Sequence, residues 1–244
     1  MSALTNRNLF IKEIIFDWNA EDLDHYVSDI SALRNTESVV LDKNITFFVG
    51  ENGTGKSTLL EAIALACGFN GEGGTINYSF TTYDDYSNLH DHIKIIRGEK
   101  FRFGYFLRAE SFYNVASKEE EYGHARGGIP QDLHYMSHGE SFLRFIQNYN
   151  GKGLYILDEP EAALSPQRQL TLMIHLMDMT KDGSQFIIVT HSPILLAMPE
   201  ATILSFEDGG IREISYEETE SYQITKMMIE NREMFLSKLL NDEQ

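Results

Sequence analysis

Apolar and polar positions along the chain fall into two periods. "LFIKEIIFDW" (9–18) and "SVVLDKNITFFVG" (38–50) read as strands, the second ending in an unbroken apolar run suited to a sheet interior. From Ser57 to about Cys67 the spacing turns helical. Residues 68 to 135 are mixed: a Gly-rich turn at "GFNGEGGT", a Tyr-rich section to Tyr86, the strand-like "KIIRGEKFRFGYFLR" (94–108) and a polar loop, "SKEEEYGHARGGIPQD". "DLHYMSHGESFLRF" reads as a loop feeding a helix, with Phe142, Leu143, Phe145 and Ile146 at roughly helical intervals. Taken alone it is a capped surface helix, Ser137 at the N-cap and Glu140 three residues on.

The pattern sharpens from Leu154. "LYIL" is a short buried strand, and "SPQRQLTLMIHLMDM" a helix with Ser165 as N-cap, Pro166 at its first position and Leu170, Met173, Ile174 and Met177 on one face. "QFIIVT" is a further buried strand, and "TILSFEDGGIREISY" a hairpin turning at Asp208-Gly209-Gly210. A final helix is predicted from about Gln223 to Leu240. Strands alternating with helices across short breaks imply parallel pairing with crossover helices, hence an α/β fold with a mostly parallel sheet.

Chemistry enters at "FFVGENGTGKSTLLEAI". Gly50 to Ser57 match the phosphate-loop pattern at every position, between a buried strand and a helix, which is the context the motif requires. Backbone N–H groups of Asn52, Gly53, Thr54 and Gly55 would wrap the β-phosphate, aided by the helix dipole. Lys56 would bridge β- and γ-phosphates, Ser57 would meet Mg²⁺, and Thr58 suits the α-phosphate. Asp158 and Glu159 end a buried strand, where ligands of open α/β sheets collect. Asp158 would hold the Mg²⁺ through water, and Glu159 would polarise the attacking water. His191, at the end of "FIIVTHS", is placed to reach a γ-phosphate oxygen; by itself it would be a turn residue. His90-Asp91-His92 has a chelating look but no third ligand nearby, which argues against zinc. His134 and His175 read as structural.

Composition narrows the partners. The 244 residues carry a formal charge of −17, which opposes a whole-surface grip on DNA or anionic lipid. One basic stretch remains, with Lys94, Arg97, Lys100, Arg102 and Arg108 against Glu99. It is either an edge strand kept soluble by charge or a weak nucleic-acid contact. The single cysteine, Cys67, allows no internal disulfide and favours a reducing compartment. With no signal-peptide pattern and no apolar run near about 18 residues, the expectation is a cytoplasmic protein without membrane insertion.

The ordered set "GENGTGKST", "SHGES", "LYILDEP", "EAALSP" and "IVTHS" resembles the motifs of ATP-binding cassette (ABC) ATPases. Ser137 to Asp158 spans 21 positions and Asp158 to His191 spans 33, as is usual in that family. Nearest in pattern are small soluble bacterial ATPases and the heads of chromosome-maintenance and recombination-repair proteins. The resemblance implies ABC-type architecture: a mostly parallel core sheet flanked by helices, an N-terminal antiparallel portion and a small helical insert lobe. The implied boundaries are a core at about 1–67 and 150–244 and an insert at about 68–149. It also implies ATP and Mg²⁺ as cofactors, and an ATP-bound head-to-tail homodimer acting on an unidentified partner protein or nucleic acid. Ser137 and Gly139 would then face the γ-phosphate held by the other copy, and residues 162–165 would cross the interface.

Two departures stand out. The family's Ser-Gly-Gly-Gln is here Ser137-His138-Gly139-Glu140, bringing an imidazole and an anion near phosphate. No glutamine loop is evident; "YFLRAESF" takes its place, with Glu110 either a Mg²⁺ and water contact or an exposed turn residue. Phe10, Phe16, Trp18 and Tyr26 are the aromatics available to stack on adenine, or to pack in the core. The nucleotide-binding subunit of an ABC transporter is the alternative function. A non-catalytic nucleotide-binding module is disfavoured, because Lys56, Asp158, Glu159 and His191 are groups that binding alone would not require.

Overall fold

The computed structural model describes residues 9–19, 22–71, 73–76, 87–108, 151–162, 164–207 and 209–241. Three buried strands form its centre: β3 (Ile45–Val49), β7 (Leu154–Asp158) and β8 (Gln185–Val189). Every residue of β3 and β8 is buried, as a parallel strand covered on both faces requires. Among the described residues they lie in a seven-stranded sheet of order β10-β9-β3-β8-β7-β6-β4, where β4 is Gly74–Thr75, β6 Gly104–Arg108, β9 Thr202–Glu207 and β10 Gly210–Ile214. The inner pairs are parallel; β10 on β9 and β4 on β6 are antiparallel.

The period of two sorts the strand residues into two cores. Phe48, Phe106, Ile156, Ile187 and Val189 face one side with helix α3 (Lys56–Ala66), and Phe47, Tyr105, Leu157, Phe186 and Ile188 face the other with α4 (Pro166–Lys181). A second sheet of order β2-β1-β5 closes over the α3 side and is wholly antiparallel: β1 is Ile11–Phe16, β2 Ser38–Val40 and β5 Ile93–Arg97. One side chain joins the sheets. The fully buried Gln185 accepts from the backbone N–H of Phe10 and of Ile11 (both 2.9 Å) and donates to Ile11 O (2.8 Å).

Four elements differ from the sequence reading. Residues 38–50 are two strands in different sheets, because Asp42 and Asn44 interrupt them: Asp42 accepts from the Thr202 hydroxyl and Asn44 donates to Ser184 O. Residues 94–108 likewise divide at Gly98 into β5 of the small sheet and β6 of the large one. Lys94 and Arg97 therefore lie on the edge strand β5, whereas Arg108 ends β6 beside β7. Helix α4 buries Leu172, Leu176 and Met179 and leaves Leu170 and Ile174 40% and 58% exposed, so its inward face is rotated from the one expected. Finally, the C-terminal helix is two, α6 (Glu220–Glu230) and α7 (Arg232–Asn241), parted at Asn231 with φ −136°. The hairpin of β9 and β10 stands as expected. The described part of the expected insert supplies β4, β5 and β6 to the two sheets; residues 109–150 lie outside the described residues.

Candidate functional site

The carboxyl ends of β3, β7 and β8 meet at one edge of the sheet, and the expected site residues of the described chain collect there. The loop from β3 to α3 turns back sharply on itself. A Cβ at Gly50 would come within 2.7 Å of Phe206 O, and one at Gly55, where φ is +91°, within 2.8 Å of Ile30. Glycine is therefore obligatory at both positions. Buried Lys56 donates from Nζ to Gly50 O (2.8 Å) and Glu51 O (2.6 Å), which aims its ammonium into the loop. Burial holds the Lys56 pKa below the ordinary lysine range, against the pull of Glu159 and Asp158. Thr54 ties the loop to itself through Oγ1 to Glu51 O (2.9 Å).

Ser57 Oγ donates to Asp158 Oδ1 at 3.1 Å, joining the first turn of α3 to the last residue of β7. These are hard oxygen donors of the kind Mg²⁺ takes. Among the described residues no group of three or more His, Cys, Asp or Glu could hold a metal by itself. A magnesium ion here would complete its shell from water and nucleotide oxygens, so the donor set fits Mg²⁺ carried in with a nucleotide. Glu159 is non-glycine yet has φ +49°, and its N–H donates to Val189 O (2.9 Å), pinning it to the end of β8. Its carboxylate lies 4.0 Å from His191 Nε2. Both side chains are about half exposed, so water and substrate can reach them.

Sequence reasoning missed three residues here. Arg108, register partner of Asp158, pairs with Glu61 at 2.7 Å, and Glu61 lies one helical turn beyond Ser57. Burial raises the Glu61 pKa, with Arg108 opposing it. Glu161 accepts from the His191 N–H at 2.7 Å. The signal for Glu161 was present, a third carboxylate two positions after Glu159, but its target lies 30 residues away.

Other expectations resolve less simply. Phe10 is buried in the core; Phe16 stacks on Trp18 at 5.0 Å, with Arg34 5.4 Å from the Trp18 ring. Tyr26 is 53% exposed. His90 donates from Nδ1 to Ser87 O (3.0 Å), and His92 lies 3.5 Å from Asp22. Glu110, His134, Ser137, His138, Gly139 and Glu140 lie outside the described residues. A 330 Å³ cavity opens beside Gly50, Thr54 and His191, but Glu51, Glu207, Glu218 and Glu220 line it, and four carboxylates do not suit a triphosphate.

An AAA-domain family model matches residues 26–124, taking in the phosphate loop. A second model, described as "AAA domain, putative AbiEii toxin, Type IV TA system", matches residues 141–197, taking in Asp158, Glu159 and His191. Both models describe an AAA domain, and together they take in every described residue of the candidate site. No curated protein matches the chain. Among solved structures the chain is similar to cbiO1 from Clostridium perfringens, part of the ABC transporter complex cbiONQ, at 17% identity and TM-score 0.48, over 93% of this chain and 98% of that one. It is also similar to the SMC head domain from Thermotoga maritima, at 13% identity and TM-score 0.43, over 85% and 99%. A third, the dimeric bacterial ABC transporter cassette MJ0796, matches at 17% identity and TM-score 0.43, over 75% and 90%. These likenesses are distant, and the fold stands on the strand order and the phosphate loop.

Proposed function

We propose that the chain binds and hydrolyses ATP with Mg²⁺, and that ATP closes two copies head to tail into a switch acting on a partner protein or nucleic acid. The observation that carries this reading is the convergence of Lys56, the Ser57–Asp158 pair and the Glu159–His191 pair at one sheet edge. Backbone N–H groups of 52–55 and Lys56 would grip the phosphates, with Thr58 nearest the α-phosphate. Ser57 and Asp158 would hold Mg²⁺, which would supply charge neutralisation to the nucleotide's phosphates. Glu159 would orient and polarise the attacking water, and His191 would donate to the γ-phosphate as charge builds on it. Glu110 would be a further Mg²⁺ contact. Ser137 and Gly139 would complete the site of the opposite copy. Among the described residues no helix is long and apolar enough to cross a membrane.

Sedimentation and phosphate release from Glu159→Gln with saturating Mg-ATP test both halves of the proposal. The expected result is a stable dimer whose turnover falls at least about 100-fold. A monomer under saturating ATP would refute the head-to-tail arrangement. Undiminished turnover would remove Glu159 from the chemistry.

A further inference from the structure

The turn after β8 has every backbone N–H accounted for, and one bond in it is unlike the others. Thr190 N–H donates to Phe48 O (3.4 Å) and Ser192 N–H to the Thr190 hydroxyl (3.1 Å), both ordinary neutral partners. His191 N–H instead donates to the Glu161 carboxylate at 2.7 Å, from the loop after β7. Charge-assisted bonds of this length are the strong and directional ones. The other Glu161 oxygen is shielded from solvent and has no hydrogen-bond partner among the described residues, so the side chain's one hydrogen bond there is to His191.

Two further contacts run the same way. Glu159 N–H donates to Val189 O. Gln169, in the first turn of α4, donates to Leu164 O (3.0 Å) and accepts from the Ser192 hydroxyl (2.6 Å). The two loops are thereby laced together on both sides of the Glu159–His191 pair, whose side chains lie 4.0 Å apart.

We propose that Glu161 is a positioning residue for His191: its carboxylate anchors the His191 backbone and so sets the imidazole against Glu159 and the reacting phosphate. This rests on the ATPase reading above. Glu161 itself touches no reacting atom; it acts through His191. A displacement of about 1 Å at a catalytic group costs on the order of 100-fold in rate, so the bond is a rate determinant without being a nucleotide contact.

The test is Mg-ATP turnover and ATP affinity for Glu161→Ala, Glu161→Gln, His191→Ala and the double variant Glu161→Ala/His191→Ala. Glu161→Ala is expected to lower kcat about 10- to 100-fold while ATP affinity stays within about twofold. Glutamine keeps an oxygen that can accept the same N–H, so Glu161→Gln should remain within about threefold of wild type. On the His191→Ala background, adding Glu161→Ala should change kcat by less than about twofold, because the two act as one unit. Full kcat in Glu161→Ala, losses that multiply in the double variant, or a glutamine variant as slow as alanine would each overturn the proposal. A wild type that binds ATP without releasing phosphate would instead sink the ATPase reading, and this inference with it.

Discussion

Lys56 is held in an unfavourable state by its own surroundings. Burial depresses its pKa, Asp158 and Glu159 partly offset this, and a bound triphosphate would add anions beside it and raise the pKa again. Two consequences follow in the alkaline range. ATP affinity should fall as pH rises through the depressed value, and binding there should take up a proton. Calorimetry in two buffers of different ionisation enthalpy checks the second; Lys56→Ala should abolish the uptake. Cys67 carries an opposite sign. Burial raises its thiol from an ordinary value near 9 to about 11, so below about pH 9 it is neutral in folded and unfolded chains alike. Between those values the unfolded chain ionises first, and stability is lost as pH rises, by at most roughly 3 kcal/mol. Urea unfolding across pH 8 to 11 should show a steeper loss in wild type than in Cys67→Ala. At this scale the phosphate loop was legible because eight consecutive residues make the motif. The Arg108–Glu61 pair and the Glu161–His191 bond were not, since each joins residues far apart in sequence that only the strand order brings together.

Elements were legible where their period was clean and ambiguous where two faces competed. The buried runs of β3, β7 and β8 and the hairpin of β9 and β10 follow directly from pattern. Helix α4 carries apolar residues around much of its circumference, so either of two stripes could have turned inward. Gln169, donating to Leu164 O and accepting from the Ser192 hydroxyl, ties down the start of the helix in the rotation that buries Leu172, Leu176 and Met179. The splits at 41–44 and 98–103 were hidden because both flanking strands share one period; what separates them is membership of different sheets. Gln185 is the polar exception inside β8 that the sequence reading took for ordinary strand. Its three buried hydrogen bonds to Phe10 and Ile11 hold the small sheet in register with the large one. Gln185→Leu should destabilise the fold by about 3 kcal/mol, from backbone groups left without partners. Equilibrium urea denaturation measures this, and a loss under about 1 kcal/mol would mean water replaces the side chain.

For the molecule as a whole, the formal charge of −17 bears on the proposed pairing of two copies. If two such chains close around bound triphosphates as proposed, they repel one another, and salt screens that repulsion. ATP-driven dimerisation should therefore tighten between about 20 and 200 mM salt, opposite in sign to nucleic-acid binding, which weakens with salt. Sedimentation at the two ionic strengths distinguishes the cases; a dimer loosened by salt would reveal a complementary charged interface. One backbone angle bears on how the molecule balances endurance against work. Glu159 sits in a left-handed conformation that an L-residue with a side chain occupies at a penalty of about 1–2 kcal/mol. Of two variants that both lack the carboxylate, glycine should outlast alanine in a thermal melt, because only glycine is at ease in that geometry. On the role proposed for Glu159, the sturdier form of this protein would then be an idle one.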